Sequence, residues 1–425
     1  MLIVITQMAF DFFGQFRSRF EYRNNRDFTE DITDMIWFVN MRTRLGFKVN
    51  INENLMLKVV FQDSRLYGSG GFSSGALEGI SYTATNSLDI ENLDLSEAYA
   101  GLIGEKFKAY IGRQSFFYGE HRLIGTFDWS NVGNSFDGFR IIGDFGDFGV
   151  EAFTVILRNR YVTEGPVEKP TGDSVYSILG GLYSIIYNIH PYVFILYDNF
   201  SYGGGGIGFP ENKTPKNAKI ISPGVYSNGE YKLGNIKPFY AFEATYQFGN
   251  AWAYTMNAFA VFGRIGVNIR SIGTYIEYNL ASGTDTLSLK KGIRRTPYNF
   301  FPTNHLHYGF ADMFSWKNLK ALRFNVQAKY SNTGIYIDFW KFSLYSKYDK
   351  WYHAGQGIYL DPKGSSSDAG YETDLTIEIN PIKNLKISSG FSHFIPGEVV
   401  KKSHTDAGLK VSPMEWGFLQ VVINF

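Results

Sequence analysis

Phe10-Asp11-Phe12-Phe13-Gly14-Gln15-Phe16-Arg17-Ser18-Arg19-Phe20-Glu21-Tyr22-Arg23 alternates with a period of two. One parity carries Phe10, Phe12, Phe16, Phe20 and Tyr22; the other carries Asp11, Gln15, Arg17, Arg19, Glu21 and Arg23, with Phe13 as the exception. Successive side chains of an extended chain point to opposite faces, so this is a β-strand with one apolar and one polar face. It is far longer than the ~5–6 residues of an ordinary strand. The design then repeats. Val39, Met41, Thr43, Leu45, Phe47, Val49 and Ile51 alternate with Asn40, Arg42, Arg44, Gly46, Lys48 and Asn50. Asn52-Glu53-Asn54 turns the chain, and Leu55, Leu57, Val59 and Phe61 oppose Met56, Lys58, Val60 and Gln62. Long amphipathic strands joined by tight turns are what a membrane-spanning barrel requires.

The rhythm continues to the C-terminus. Short turns are expected at Gly104-Glu105-Lys106, Gly143-Asp144-Phe145-Gly146, Leu233-Gly234-Asn235, Gly249-Asn250, Gly263-Arg264, Lys317-Asn318, Asn332-Thr333-Gly334 and Lys383-Asn384. Longer polar stretches lie at 66–94, 119–135, 163–174, 203–219, 281–305 and 349–370. Short turns alternating with long loops is the asymmetry of an outer-membrane barrel, with turns periplasmic and loops extracellular. The fold class is therefore all-β, a transmembrane antiparallel β-barrel of about 18 strands. It forms a single domain over residues 10–425, and residues 1–9 read as a signal-peptide remnant or simply a mature N-terminus. The last strand agrees: Ile423, Val421, Leu419 and Gly417 form the outward parity, Asn424, Val422, Gln420 and Phe418 the other, and Phe425 ends the chain. A barrel also satisfies the lipid, because it alone among sheets leaves no unpaired edge.

Composition narrows the class further. Aromatic residues make up 17% and charged residues 19%, yet the mean hydropathy is −0.16. Disorder is excluded, since the apolar surface can offset the entropy of ordering. A helical membrane protein is excluded too, because the greasiest stretch, 183–200, is broken by Asn188, His190, Pro191 and Asp198. Strand parity resolves the contrast, with aromatics expected outward in the lipid-facing band and polar residues lining water. A net charge of +1 gives no bulk field for nucleic acid. The absence of cysteine excludes disulfides, thiolate metal sites and cysteine nucleophiles.

Several segments resemble the alginate-export porin family. They are Phe61-Gln62-Asp63-Ser64-Arg65, Gly112-Arg113-Gln114, Arg122-Leu123-Ile124-Gly125, Phe127-Asp128-Trp129-Ser130-Asn131-Val132-Gly133 and Ser135-Phe136-Asp137-Gly138-Phe139-Arg140. Phe301-Pro302-Thr303-Asn304-His305, Tyr308-Gly309-Phe310 and Ser392-His393-Phe394-Ile395-Pro396-Gly397 follow in order, so the resemblance covers nearly the whole chain. It implies a monomeric barrel of about 18 strands that carries an anionic uronate polymer through an arginine-lined constriction.

From parity alone, Arg17, Arg19, Arg42 and Arg44 point to the lumen. Arginine stays charged and binds carboxylates in a bidentate fork, so a cluster in a low-dielectric wall concentrates anions. The same arginines read equally well as internal counter-ions that keep a barrel solvated and rigid, with Glu21, Asp63, Glu97, Asp128 and Asp137 opposing them. Arg65, Arg113, Arg122 and Arg140 fall in the family-like segments and are expected at the constriction. Asp128 and Asp137 are expected to tune release by competing for guanidinium groups, and the Phe127-Asp128-Trp129 loop either folds inward to narrow the pore or ends at the surface.

Other motifs carry less. Gly203, Gly205 and Gly208 match a dinucleotide fingerprint, but Pro210 follows and no helix pattern does. His305 and His307 lack a third metal ligand in sequence, and neither His121 nor His393 is paired with a serine. No enzyme, cofactor or metal is expected. The expected function is a passive channel for anionic polysaccharide or uronate oligomers in the bacterial outer membrane, working with membrane lipid and periplasmic export partners and without nucleic acid. The alternatives are a porin for small solutes, anionic or otherwise, and a non-conducting structural barrel in an envelope assembly.

Overall fold

The computed structural model describes residues 9–30, 34–67, 92–164, 169–199 and 217–425. Eighteen long strands run in chain order: β1 (Ala9–Asn24), β2 (Ile36–Asn50), β3 (Leu55–Tyr67), β4 (Asn92–Ile103), β5 (Phe107–Gln114) and β6 (Phe136–Asp144) begin the wall. It continues through β7 (Phe148–Glu164), β8 (Lys169–Ile186), β9 (Ile189–Asp198), β10 (Ala218–Glu230), β11 (Ile236–Ala251) and β12 (Tyr254–Ile269). β13 (Ile272–Ala281), β14 (Leu319–Tyr330), β15 (Thr333–Leu344), β16 (Asp368–Ile382), β17 (Leu385–Pro396) and β18 (Met414–Asn424) complete it. Each strand pairs antiparallel with the next, and β18 returns to β1 from Gln15↔Asn424 to Asn24↔Glu415. The ring is closed, which leaves no backbone edge to the lipid.

The seam is tightened beyond the strand register. The Gly14 N–H donates to the Phe425 carbonyl at 2.6 Å, and the Phe425 N–H returns to the Gly14 carbonyl at 3.0 Å. A Cβ at Gly14 would lie 2.3 Å from the Phe425 ring, so glycine is what admits the terminal aromatic here. Alternation follows the reading of β1 to β3. Phe12, Phe20, Leu45 and Phe61 are exposed to the outside, while Arg17, Arg19, Glu21, Arg42, Met56 and Gln62 are buried inside.

One end of the barrel carries only short connections, at 51–54, 104–106, 145–147, 187–188, 231–235, 270–271, 331–332 and 383–384. Three expected turns are not at this end. Gly249 and Asn250 lie inside β11, Gly263 and Arg264 lie mid-strand in β12, and Lys317-Asn318 closes a long loop at the opposite end. Five of these turns, at 51–54, 187–188, 270–271, 331–332 and 383–384, carry no glycine. Two of the five are not among those expected from the sequence: there Tyr187 and Arg270 take the left-handed conformation, at φ of 53° and 54°. The opposite end carries the loops at 25–35, 115–135, 282–318, 345–367 and 397–413, plus a tight reversal at 252–253. Helices α1 (Thr286–Lys290) and α2 (Glu398–Asp406) sit in two of them. The loops expected at 66–94 and 203–219, and the Gly203, Gly205 and Gly208 motif, lie almost wholly outside the described residues, as does all of the N-terminal segment but Ala9. The stretch 163–174 expected as a loop is strand at both ends, in β7 and β8, with 165–168 outside the described residues.

The outward placement of aromatics holds for only part of them. Phe116, Tyr118, Phe136, Phe153, Tyr183, Tyr192 and Phe194 form one buried cluster inside the barrel, and Phe314, Phe342, Trp351 and Phe394 stack in the same core. Loops that enter the lumen bring their own apolar side chains, so the inner wall beneath them is aromatic rather than wet.

Candidate pore constriction

Two loops fold inward and join. The loop 115–135 between β5 and β6 meets the loop 282–318 between β13 and β14 along a short parallel bridge, Ile124↔Phe301. The Phe301 N–H donates to the Leu123 carbonyl at 2.8 Å and the Gly125 N–H donates to the Phe301 carbonyl at 2.7 Å. The Thr303 N–H donates to the His121 carbonyl at 2.9 Å, and the Thr303 hydroxyl accepts the Phe127 N–H at 2.9 Å. Burial among these loops pushes the His121 imidazole down to about 4, and its ring stacks on Phe117 at 3.8 Å. These contacts satisfy backbone groups that would otherwise be stranded in a dry interior.

Arg122 anchors the loop on the wall of β12 and β13. Its guanidinium is fully buried, 3.0 Å from the Glu277 carboxylate, and donates to Asn279 at 2.8 Å and to the Tyr308 hydroxyl at 3.1 Å. It lies 3.7 Å above the Phe262 ring. Arg264 closes the cluster by bridging Glu277 at 2.7 Å and Glu120 at 2.9 Å. Burial opposes the Arg122 charge, but Tyr308 and the carboxylates of Glu277 and Glu120 outweigh it and hold the guanidinium above its ordinary value. Arg122 is therefore a strut, with no face left to the pore.

The segment 127–133 reaches the wall of β1 to β3. Arg17 and Arg42 both donate to the carbonyls of Asp128 and Ser130, and Arg19 donates to the Trp129 carbonyl at 2.7 Å. Gln62 and Ser64 hold the carbonyls of Val132 and Asn131, each at 3.0 Å. Trp129 stacks on the Arg19 guanidinium at 3.8 Å and on the His305 ring at 4.0 Å. The Asp128 carboxylate is shared by Arg42 at 3.0 Å and Arg44 at 2.7 Å. Burial pushes this carboxyl upward, yet the two guanidinium groups outweigh it and hold it below the ordinary carboxylate value. The Phe127-Asp128-Trp129 loop thus folds inward, and the arginine row of β1 and β2 is what holds it there.

The remaining predicted residues separate. Arg65 pairs with Asp63 at 2.9 Å near the loop end of β3. Glu97 pairs with Lys58 and accepts the Ser115 N–H at 3.3 Å. Arg140 pairs with Glu151 at 2.9 Å and faces the rings of Tyr110 and Phe116. Arg113 and Asp137 do not face the pore. They form a bidentate pair at 2.7 and 2.8 Å on the outer face, sharing parity with the exposed Ile111 and Phe139. Their direction is fixed by the period of two, so membership of a family-like segment cannot turn them inward. His305 and His307 are buried, with His305 bonded to Asp312 at 2.9 Å. No group of three or more metal-ligating side chains occurs among the described residues. Glu120, Glu277 and Arg264 are neighbours of Arg122 that the sequence did not signal, because Arg122 meets Glu277 across 155 positions.

A closed antiparallel ring of 18 strands, with short turns at one end and inward-folded loops from the other, is an outer-membrane porin barrel. The chain belongs to the alginate export family, whose sequence pattern matches residues 9–411. Its fold is similar to three solved structures from Pseudomonas aeruginosa. OpdQ aligns with a TM-score of 0.62 at 10% identity, covering 98% of this chain and 99% of that one. OccK2 (OpdF), solved in complex with glucuronate, gives 0.61 at 10% identity, with 98% of each chain covered. OpdK, solved with vanillate, gives 0.59 at 10% identity and the same coverage of 98% for each. No curated protein matches the sequence. The protein is a channel of the bacterial outer membrane.

Proposed function

We propose that the channel passes anionic polysaccharide or uronate oligomers passively, past the arginines of β1 and β2. The carrying observation is the state of Asp128. Arg42 and Arg44 share its carboxylate, whose side chain keeps 52% of its exposure, while Arg44 keeps 24%. A permeant carboxylate competes with Asp128 for the same guanidinium groups, so it binds and is then displaced by the fixed acid. Attraction with built-in release is what conduction needs. The family assignment and the glucuronate in OccK2 (OpdF) support an acidic sugar as the ligand class. No covalent step and no cofactor enter the process.

One observation favours smaller anions. The cavity beside the clamp, lined by Gln15, Arg44, Glu97 and Ser115, measures 250 Å³, below the ~300–1,000 Å³ of ordinary ligand pockets. Planar-bilayer recording separates the readings. Uronate transport predicts an anion-selective current that oligo-uronates reduce and neutral oligosaccharides of equal length leave alone. A current indifferent to oligo-uronates favours a general small-solute porin, and a refolded barrel with no current favours a structural role.

A further inference from the structure

Between the loop clamp and the turn end lies a cavity of 1090 Å³. Its wall is made by β2 to β5 and the turn at 51–54. Lys48, Lys58 and Lys108 line it with Tyr99 and Tyr110, and Glu53 stands at its rim. Lys48 stands on the inward face with Lys58 as its direct cross-strand partner on β3 and Asp11 as its partner on β1, without an ion pair to Asp11 among the described residues. Like charges set opposite each other destabilise a sheet, and an anion between them would relieve that cost. Lys58 is partly neutralised by Glu97 and sits 5.8 Å above the Tyr99 ring. Lys48 and Lys108 make no ion pair among the described residues.

Tyr99 and Tyr110 stand edge to face, with ring centroids 5.7 Å apart. Each offers an apolar ring face beside a hydroxyl, which suits the C–H face and the hydroxyls of a sugar. Ammonium groups flanking such rings add recognition of a carboxylate on that sugar, in a geometry looser than a guanidinium fork. Among the described residues, Arg42 and Arg44 at the clamp stand over no aromatic ring, and both are tied to Asp128.

We propose that this cavity is a second binding site, distinct from the clamp, that takes one carboxylate-bearing sugar unit from the turn side. The site rests on the uronate reading above. It makes the channel two-sided: the clamp screens what comes from the loop end, and the lysine and tyrosine site captures what arrives from the periplasm.

The test is sided block in planar bilayers with the barrel inserted in known orientation, using a uronic-acid trisaccharide, maltotriose and inorganic sulfate. The wild type is expected to be blocked by the trisaccharide from the turn side and not by maltotriose. Replacing both lysines, Lys48→Gln with Lys108→Gln, is expected to weaken turn-side block roughly tenfold, the worth of two exposed charge contacts, and to leave loop-side block unchanged. Neither lysine makes an ion pair among the described residues, so the double variant keeps every ion pair described in the barrel. Block from the loop side with none from the turn side, or turn-side block identical in the double variant, overturns the site while the uronate reading stands. Block from neither side overturns both. Sulfate that blocks from the turn side as strongly as the trisaccharide overturns the assignment to a sugar.

Discussion

The Asp128 carboxylate links Arg42 and Arg44 to the tip of an inward loop, so Asp128 is the residue at which the proposed clamp is tested. Its pKa lies below the usual carboxylate range, so the ionised form is favoured in the folded barrel. A depressed carboxyl adds stability above its unfolded pKa, near ~3.9, and that contribution is lost as pH falls through the lower folded value. The clamp is therefore expected to hold across neutral and mildly acidic pH. Single-channel current should begin to flicker only below pH ~4. In Asp128→Asn, flicker and a higher anion preference should already be present at neutral pH, since the two arginines lose their fixed counter-charge. A variant as quiet as the wild type at neutral pH would mean that the backbone carbonyls alone hold the loop. Parity reveals the inward direction of Arg17, Arg19, Arg42 and Arg44 because those strands alternate cleanly. Parity also places Arg113, which follows Phe107 and Ile111 on the outer face. Only its presence in a familiar-looking segment argues otherwise, and a segment has no direction.

Among elements, strands are far more legible than connections. A strand writes its two faces into every second residue, whereas Tyr187 and Arg270 turn the chain with side chains that advertise nothing. The lumen loops are harder still, since their partners are set by tertiary contact. The bridge between 115–135 and 282–318 depends on close approach at Gly125, where a Cβ would lie 2.4 Å from the Thr303 hydroxyl and 2.7 Å from the His121 Cβ. Gly125→Val should push the two loops apart without touching any of the barrel pairings. The expected result is a larger and noisier conductance from a barrel that resists heat-induced unfolding on gels as the wild type does. Unchanged conductance would show that the bridge lies clear of the ion path. Loss of the folded barrel would show that the loops support the wall.

For the whole molecule, a net charge of +1 conceals an uneven interior. The arginines of β12 to β14 are matched by Glu277, Glu120 and Asp338, and on the wall of β1 to β5 Glu21 and Asp128 meet Arg19, Arg23, Arg42 and Arg44, so the excess of positive charge on that wall lies with Arg17, Lys48 and Lys108. The aromatic content divides too, part in the lipid band and part in a core buried inside the barrel. On the reading proposed above, ions pass along the basic wall, where the field is local. A field of this kind is screened by mobile salt, with a Debye length of ~30 Å at 0.01 M and ~3 Å at 1 M. Anion preference, read as reversal potential across a fixed concentration ratio, should therefore be strong in dilute salt and decay as the mean concentration rises. The decay should be incomplete, because Arg44 stands within contact distance of a passing anion and is screened least. A preference independent of salt would place selectivity in the width left by the loops and remove the basic wall from the account of what the channel passes.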